Sequence, residues 1–368
     1  MARIVVLGAS GATGRLVTRA LLERGFDVVA AGPSPSRVGE ALGDAAGATE
    51  IVEVDLTEPA AVVAAVARGA AVVSAVGPFD ALGRTVVDAA IDAGVAYLDT
   101  AGEQPFVAWA RDARAERARA AGVSVVPGVG AAGLPGDLLA ALAGEHASGP
   151  CEVHVAYAFP DGLWRSASAG TRRSLAAVLG APVLARIDGR LEEERLGEQR
   201  RLAWFPRPVG PRHAAAVPGL EALTVPDHLP AATVVRTYLS MSTPASELLQ
   251  AVGNLARWPP AGERLRAALT PAERTRTRVA GDRARWACVA EVADDHVVGR
   301  AWAHGRDPYA LTAAAVTAGV ERIVAGEVPP GVHGPAALGP AGDVLDRIGA
   351  TTDLRWGRAT SERPTRGR

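Results

Sequence analysis

The sequence predicts an α/β protein with two parts. The first half reads as a Rossmann fold, a doubly wound parallel sheet, and the second half as an α+β domain on a mixed or antiparallel sheet. An apolar run at residues 3–7 leads directly into a glycine-rich segment at 8–14. Short apolar runs then alternate with helical patterns as far as residue 130, which is typical of a parallel sheet. From Cys151 onwards apolar and polar residues alternate, as in a strand with one covered face.

The glycine-rich segment lies between the first strand and a helical pattern that ends at Gly25. Its glycines have the spacing G-x-x-G-x-x-G, which allows a tight turn, a close backbone approach to a pyrophosphate and a helix N-terminus aimed at it. A tight turn with no ligand is the alternative. In this strand–turn–helix context we expect a dinucleotide, and the candidates for binding it are Gly8, Ala9, Ser10, Gly11, Ala12, Thr13 and Gly14.

Five further strands are predicted in the first half, at residues 26–32, 50–55, 70–79, 95–99 and 123–130. Ligands of doubly wound sheets bind outside the carboxyl ends of the strands. The residues at those ends are therefore candidates for the site. Beyond the first loop, the cofactor candidates are Ser34, Ser36, Arg37, Asp55, Val76, Gly77, Pro78 and Gly128, and Gly130 is a substrate candidate.

The residues after the second strand indicate which nicotinamide cofactor is bound. Enzymes specific for NAD commonly place an acidic residue there, on the ribose 2′-hydroxyl. This chain has no acidic residue before Glu40 and offers Ser34, Ser36 and Arg37 instead. Hydroxyls and a guanidinium suit a 2′-phosphate, so NADP(H) is predicted, with NAD(H) less favoured. The alternative is that Arg37 is only a solvated loop charge.

Two carboxylates follow the fifth strand in the segment VAYLDTAGEQPF, residues 95–106. Asp99 ends the strand, so we expect it at the ligand-binding edge of the sheet, either in acid–base chemistry or in structural hydrogen bonding. Thr100 and Glu103 match the S/T-x-x-E capping box, which predicts that Glu103 caps the following helix. A contact with substrate is the alternative role of Glu103.

The second half contains strand patterns at residues 232–240, 283–292 and 296–304, the last two joined by a hairpin turn at 293–295. Helices are predicted at 168–179, 244–256 and 261–270. We expect a dinucleotide domain at 1–132, a substrate and dimerisation domain at 133–304, a segment at 305–356 that returns to the first domain, and a flexible tail at 357–368.

Composition narrows the class of protein. The formal net charge is −1, which does not favour a nucleic-acid partner. No apolar run is long enough to cross a membrane, and no signal peptide is apparent, so a cytoplasmic protein is expected. The sequence has no Lys, which excludes a Schiff-base lysine. Cys151 and Cys288 lack metal-site spacing and are expected to be buried free thiols, and no metal is expected.

Several motifs together resemble one family. VVLGASGATG, VVSAVGPFDALGRTVVDAAIDAGVAYLDTAGE, VVPGVGAAGLPGDLLA and HGRDPYALTA are similar to the saccharopine dehydrogenase-like NADP-binding proteins, nearest to the actinobacterial trans-acting enoyl reductase branch. The resemblance implies hydride transfer with NADP(H) to or from a C=N or an activated C=C of a metabolite, including one of secondary metabolism. It also implies a homodimer. The segment SASAGTRRS at 166–174 resembles a Ser-Gly-Gly-Thr segment of the enoyl reductase branch, with Ala169 in place of the first Gly.

Candidates for proton transfer and substrate binding also lie in the second half. Tyr238 and His154 are catalytic candidates beside Asp99, and Thr171 and Arg172 are substrate candidates. For each of them a structural or solvated role is the alternative. Two other functions stay open, a non-redox enzyme of the isomerase or cyclase type and a dinucleotide sensor that keeps the fold. A protein that acts in trans on a carrier-bound substrate is favoured least.

Overall fold

The computed structural model describes residues 2–162, 181–269 and 284–362, together with positions 168, 172, 173 and 176. The chain divides into two compact units. The first consists of Met1–Ala131 and Tyr309–Pro340, and the second of Ala132–Pro308 and Ala341–Arg368. Of the segment 305–356, expected to return to the first domain, only 309–340 groups with it.

The strands of the described residues are β1 Arg3–Leu7, β2 Asp27–Gly32, β3 Glu50–Glu53, β4 Ala71–Ser74, β5 Ala96–Asp99, β6 Ser124–Val126, β7 Cys151–Ala158, β8 Val183–Ile187, β9 Arg190–Glu194, β10 Arg200–Trp204, β11 Pro211–Ala216, β12 Ala232–Ser240, β13 Arg285–Ala293, β14 Val297–Arg306, β15 Gly331–Val332 and β16 Arg355–Glu362. The α-helices are α1 Ala12–Glu23, α2 Pro35–Leu42, α3 Pro59–Val66, α4 Phe79–Ala93, α5 Gln104–Ala120, α6 Leu134–Gly144, α7 Glu221–Thr224, α8 Thr243–Ala256, α9 Pro259–Leu269, α10 Pro308–Val324 and α11 Ala341–Gly349.

The first unit is built on a fully parallel sheet in the order β15-β6-β5-β4-β1-β2-β3. Helices link the strands, so both faces of the sheet are covered and the central strands are apolar throughout. Ile4, Val5 and Val6 of β1, for example, have no exposed surface. The strand order reverses between β1 and β4, and a crevice at such a reversal is where dinucleotides bind.

The second unit contains a mixed sheet in the order β10-β11-β12-β7-β13-β14-β16, with the β8–β9 hairpin attached to β12. β12 and β7 are parallel, and the other neighbours in this order are antiparallel. Helix α6 packs against β13 and β14. The predicted fold class, a parallel Rossmann sheet followed by an α+β unit, is therefore confirmed.

The structure corrects the predicted tail and adds strands to the second half. Residues 357–362, expected in a frayed tail, belong to β16, which pairs with β14 from Val297↔Glu362 to His304↔Arg355. Pairing with β14 holds these residues in the sheet, although their polar composition is typical of a flexible tail. The strands β8 to β11 were not predicted, because their charged residues hide the alternation; β9 reads RLEEE. The predicted helix 168–179 lies largely outside the described residues.

Other features agree with the sequence. The hairpin predicted at residues 293–295 joins β13 to β14. Cys151 and Cys288 are buried free thiols, as expected. Across the described ranges, no helix combines the length and the apolar character that a membrane span requires.

Candidate functional site

The glycine-rich segment forms a turn between β1 and α1 that leaves no room for a side chain at Gly8 or Gly14. Gly8 has φ +81°, and a Cβ at this position would lie 2.5 Å from Val76 Cγ2. A Cβ at Gly14 would collide with the carbonyl group of Gly8. The Gly11 N–H closes the turn by donating to the Gly8 carbonyl at 2.9 Å. The glycines are therefore required by backbone packing at the place where a dinucleotide must approach closely.

The N-terminus of α1 is free of side-chain caps. Gly11 is the N-cap residue, and it has no side chain to accept from the first N–H groups. The first turn contains no acidic residue. Backbone N–H groups and the positive end of the helix dipole are thus presented to an anion. A pyrophosphate is the anion that this fold places there.

The edge of the sheet after β2 carries the polar residues predicted for a 2′-phosphate. Ser34 is the N-cap of α2, and its Oγ lies 3.0 Å from Ser36 Oγ. The Arg37 N–H donates to Ser34 Oγ at 3.5 Å. The Arg37 side chain is exposed. Two hydroxyls, a helix N-terminus and a guanidinium therefore share one edge, a donor set that suits a phosphate.

Asp55, predicted to contact the cofactor, is engaged in a turn after β3. Its Oδ1 accepts from the backbone N–H of Thr57 at 2.9 Å and from the Thr57 hydroxyl at 2.7 Å. These hydrogen bonds lower the pKa of Asp55. The Asp55 side chain therefore forms an Asx turn, a structural role that differs from the predicted contact with the cofactor.

Glu103 caps a helix, but not the one that the capping box predicts. Helix α5 begins at Gln104, with Glu103 itself as N-cap residue and without a side-chain cap. The Glu103 carboxylate instead accepts from the N–H groups of Phe79 at 3.0 Å and Asp80 at 2.9 Å, at the start of α4. The capping-box interpretation is therefore wrong. With 2% of its surface exposed, Glu103 has little area for the predicted contact with substrate.

Asp99 is fully buried at the end of β5, and hydrogen-bond donors surround it. Its Oδ1 accepts from the N–H groups of Ala101 and Gly128, both at 2.8 Å, and its Oδ2 accepts from the Tyr97 hydroxyl at 2.7 Å. Burial raises the pKa of Asp99 to about 6, against these hydrogen bonds, which lower it. Burial and the Asp99 charge raise the pKa of Tyr97 well above its usual value. With no exposed surface, Asp99 holds backbone and hydroxyl groups in this structure.

The loop after β6 is tied to the end of β5. Gly128 has φ +81°, and the Val129 N–H donates to the Asp99 carbonyl at 2.8 Å. A Cβ at Gly130 would lie 3.4 Å from the Thr100 Cβ, so this glycine packs closely on the neighbouring loop. Gly128 and Gly130 therefore stand beside Asp99 at the carboxyl edge of the sheet.

The structure brings the other two catalytic candidates, His154 and Tyr238, together in the second unit. His154 Nδ1 lies 3.4 Å from Tyr238 Oη, and His154 Nε2 lies 3.3 Å from Glu152 Oε2. Burial and Arg201 lower the pKa of His154 to about 4, with Glu152 opposing them. Burial raises the pKa of Tyr238. The group is thus a neutral imidazole between a phenol and a carboxylate.

Charged residues that the sequence analysis did not single out surround this pair. Arg201 donates to Glu291 at 2.6 Å, and Arg300 donates to the other oxygen of Glu291 at 2.6 Å. The Arg201 guanidinium lies 5.7 Å from the centre of the Tyr238 ring. Glu291 is an acidic residue within the apolar strand pattern at 283–292, and this was the sequence signal that could have revealed the cluster.

A second buried polar cluster lies in the same unit and was also missed. Glu221, with no exposed surface, accepts from Tyr157 Oη and Thr237 Oγ1, both at 2.6 Å. Asp137, 1% exposed, accepts from Thr224 Oγ1 at 2.7 Å. Burial raises the pKa of Glu221 to about 7. No sequence signal distinguishes Glu221 from an exposed helix residue.

Of the two remaining substrate candidates, the structure describes only Arg172. Thr171 lies outside the described residues, as does most of the segment 166–174. The Arg172 N–H donates to the Ser168 carbonyl at 2.9 Å. Within the part of the chain that the structure describes, no three His, Cys, Asp or Glu side chains form a group that could hold a metal ion.

The dinucleotide-binding part of the chain is similar to a known family. Residues 4–126 match the family model of the saccharopine dehydrogenase NADP binding domain. A trans-acting enoyl reductase of Mycobacterium ulcerans is 31% identical over 140 residues, 37% of this chain and 34% of the relative. A lipid droplet localized protein of Caenorhabditis elegans is 28% identical over 146 residues, again 37% of this chain and 34% of the relative. The matches thus span about a third of the length of these curated relatives.

A solved structure resembles the chain over nearly its whole length. Saccharopine dehydrogenase (L-Glu forming) of Saccharomyces cerevisiae, in its apo form, superposes with a TM-score of 0.65 over 98% of this chain and 100% of that one. At 13% sequence identity this likeness shows the fold alone.

The comparisons confirm the resemblance predicted from the sequence and the choice of cofactor. Residues 4–126 match the model of an NADP binding domain, which supports NADP(H) as the cofactor. Relatives named as enoyl reductases agree with the prediction of a reductase or dehydrogenase.

Proposed function

We propose that this protein is an NADP(H)-dependent oxidoreductase that transfers hydride to or from a C=N or an activated C=C of a small-molecule metabolite. The observation that carries the proposal is the turn at Gly8–Gly14. A Cβ at Gly8 or Gly14 would collide with neighbouring atoms, and Gly11 opens α1 without a side chain that could occupy the first N–H groups. A close backbone approach at a helix N-terminus is what a bound pyrophosphate requires.

Residues of the first unit would hold three parts of the cofactor. The backbone of Gly8–Gly14 would bind the pyrophosphate, and Ser34, Ser36 and Arg37 would bind the 2′-phosphate. The residues at the ends of β4 and β6, Val76–Pro78 and Gly128, would border the nicotinamide ribose. Bound NADP(H) supplies the hydride chemistry, so the chain must bind, orient and keep water away.

Reduction of a C=C or C=N also consumes a proton, and we propose Tyr238 with His154 as its source. These two candidates of the second unit lie close together, with Tyr238 Oη 3.4 Å from His154 Nδ1. The imidazole can return a proton to the phenol through Nδ1 and take one up at Nε2, which lies beside the exposed Glu152. This arrangement provides a path for a proton from the surface to a largely buried phenol.

The first experiment tests the cofactor and the reaction separately. NADPH and NADH affinities are measured by fluorescence, and absorbance at 340 nm is followed with a panel of imines and conjugated enoyl thioesters. We expect tighter binding of NADPH than of NADH, and oxidation of NADPH by at least one class. Arg37→Ala should weaken NADPH by about tenfold and leave NADH nearly unchanged, since only NADPH carries the 2′-phosphate.

Two outcomes would contradict the proposal. Failure of the wild-type protein to bind NADPH would remove its basis. Tight NADPH binding without turnover on either panel would favour the alternative, a non-redox enzyme or a dinucleotide sensor. Arg84→Ala, which removes an exposed arginine paired with Asp80 on α4, is the control for a general loss of positive charge.

A homodimer and a cytoplasmic location are part of the proposal. Light scattering coupled to gel filtration decides the first, and cell fractionation decides the second. Trp204, about half exposed on the edge strand β10, is one apolar residue available for an interface.

A further inference from the structure

Three loops at the carboxyl edge of the first sheet are joined by two carboxylates. Asp99 is the last residue of β5, and Glu103 ends the loop at 100–103 that follows it. Asp99 holds the loop after β6 through the Gly128 N–H, and Glu103 holds the loop after β4 through the N–H groups of Phe79 and Asp80. We call this pair of carboxylates, with the contacts just named, the carboxylate clamp.

The donors around the clamp indicate that both groups act as carboxylates. Asp99 receives two N–H groups and the Tyr97 hydroxyl, and Glu103 receives one N–H group on each oxygen. A protonated carboxyl would place an O–H where one of these donors now points. Hydrogen bonds from neutral donors to a buried anion are among the stronger ones in proteins. The clamp therefore ties the backbone of all three loops together through these hydrogen bonds.

We propose that Asp99 and Glu103 are positioning residues that orient the nicotinamide end of the cofactor. This inference rests on the proposed function, which puts the nicotinamide beside Val76–Pro78 and Gly128. The clamp touches neither the Gly8–Gly14 turn nor the Ser34–Arg37 edge by any of the contacts that define it. Its loss should therefore affect the nicotinamide half of NADPH and spare the adenosine half.

The clamp should also make this effect depend on pH. Tyr97 on β5 and Glu103 in the same loop are the titratable groups that act on Asp99, and the loop after β6 contributes only backbone. The pKa of Asp99, raised to about 6, puts its protonation within reach of experiment. Below that pH the clamp loses an acceptor, so binding of the nicotinamide should weaken as pH falls from 7 to 5.

The experiment compares two ligands on two variants. NADPH and 2′-phospho-ADP-ribose, which lacks the nicotinamide, are titrated by calorimetry into wild type, Asp99→Asn and Asp88→Asn. Asp88 is a partly exposed aspartate of α4 paired with Arg114 and Arg117, away from the clamp. For Asp99→Asn we expect NADPH to bind about tenfold more weakly and 2′-phospho-ADP-ribose to bind as in wild type. Asp88→Asn should change neither affinity.

Titration with NADH extends the comparison over pH. NADH lacks the 2′-phosphate, whose own ionisation near pH 6 would complicate the result for NADPH. The wild-type affinity for NADH should fall between pH 7 and 5, and that fall should be absent in Asp99→Asn. An equal fall in both proteins would overturn the pH dependence that we attribute to Asp99.

A milder variant keeps the inference testable if Asp99→Asn does not fold. Tyr97→Phe removes one donor from Asp99 and leaves the Gly128 contact, and Glu103→Gln weakens the link to α4. Each should reduce NADPH affinity less than Asp99→Asn and spare 2′-phospho-ADP-ribose. Equal loss of both ligands, or no loss of either, in folded variants would overturn the inference. Wild-type protein that binds neither ligand would instead refute the proposed function.

Discussion

The two units both bury carboxylates, but with different kinds of partner. In the first unit Asp99 and Glu103 accept mainly from backbone N–H groups of loops. In the second unit Glu221 accepts from the hydroxyls of Tyr157 and Thr237. The first arrangement fixes backbone at a sheet edge, and the second fixes side chains to one another within a packed interior.

This difference separates a candidate site from a polar core. Burial raises the pKa of both Asp99 and Glu221, so a shifted pKa alone does not tell the two apart. Carboxylates that hold glycine-containing loops leave the outer side of those loops for a ligand. Carboxylates that hold side chains fill the space that a ligand would need. The identity of the donors therefore decides the interpretation.

The largest effect is expected from the turn that the clamp does not touch. Gly14→Ala places a methyl group against the Gly8 carbonyl and the Ala9 Cα, and backbone cannot move aside cheaply. We expect NADPH affinity to fall about 100-fold, equivalent to about 3 kcal/mol, with 2′-phospho-ADP-ribose affected equally. Fluorescence titration of NADPH measures the first ligand and calorimetry the second.

Gly47→Ala is the control for this substitution. A Cβ at Gly47 meets no atom within 4 Å, so cofactor affinity should not change. If Gly14→Ala weakened NADPH but spared 2′-phospho-ADP-ribose, the turn would belong to the nicotinamide half, and the division between turn and clamp would be lost.

The next effect tests the polar core of the second unit. Burial raises the pKa of Glu221 from 4.5 to about 7, so the folded protein keeps a proton that the unfolded chain releases. Stability should therefore fall as pH rises from 4.5 to 7, by about 3 kcal/mol from this group. Glu221→Gln removes the dependence, so its free energy of unfolding relative to wild type should increase by that amount between pH 4.5 and 8. Urea unfolding followed by circular dichroism measures it.

Glu291→Gln should change the pH dependence of the free energy of unfolding in the opposite direction. Although burial opposes it, the contacts with Arg300 and Arg201 leave the pKa of Glu291 lowered. Its stabilising contribution is therefore present above its unfolded pKa and lost as pH falls. If Glu221→Gln changed the free energy of unfolding equally at pH 4.5 and 8, the pKa of Glu221 would be the same in the folded and unfolded protein, which would contradict the prediction for Glu221.

The sequence predicted those parts of the molecule that depend on local pattern. The turn at Gly8–Gly14 and the alternation of parallel strands with helices follow from glycine spacing and from runs such as IVVLG. Glu103 shows where local pattern fails. The capping box is read within one helix, whereas the carboxylate caps α4, which precedes it in the chain. The contact of His154 with Tyr238 joins residues 84 apart through the pairing of β7 with β12, which no single stretch encodes.

The smallest effect concerns the pKa of His154 in the pair with Tyr238. After burial, Arg201 contributes most to the lowered pKa of His154, about 4, so the imidazole is neutral at pH 7. Arg201→Gln should raise that pKa toward 6.5, as followed by NMR of the imidazole Cε1–H. Arg300→Gln is the matched control, because Arg300 also pairs with Glu291 and is not among the groups that act on His154. A shift of equal size in both variants would mean that Glu291, released from either arginine, governs His154. In that case Glu291, which both arginines share, would control the charge of His154. The proposed proton path through Tyr238 would then depend on Glu291 as much as on Arg201.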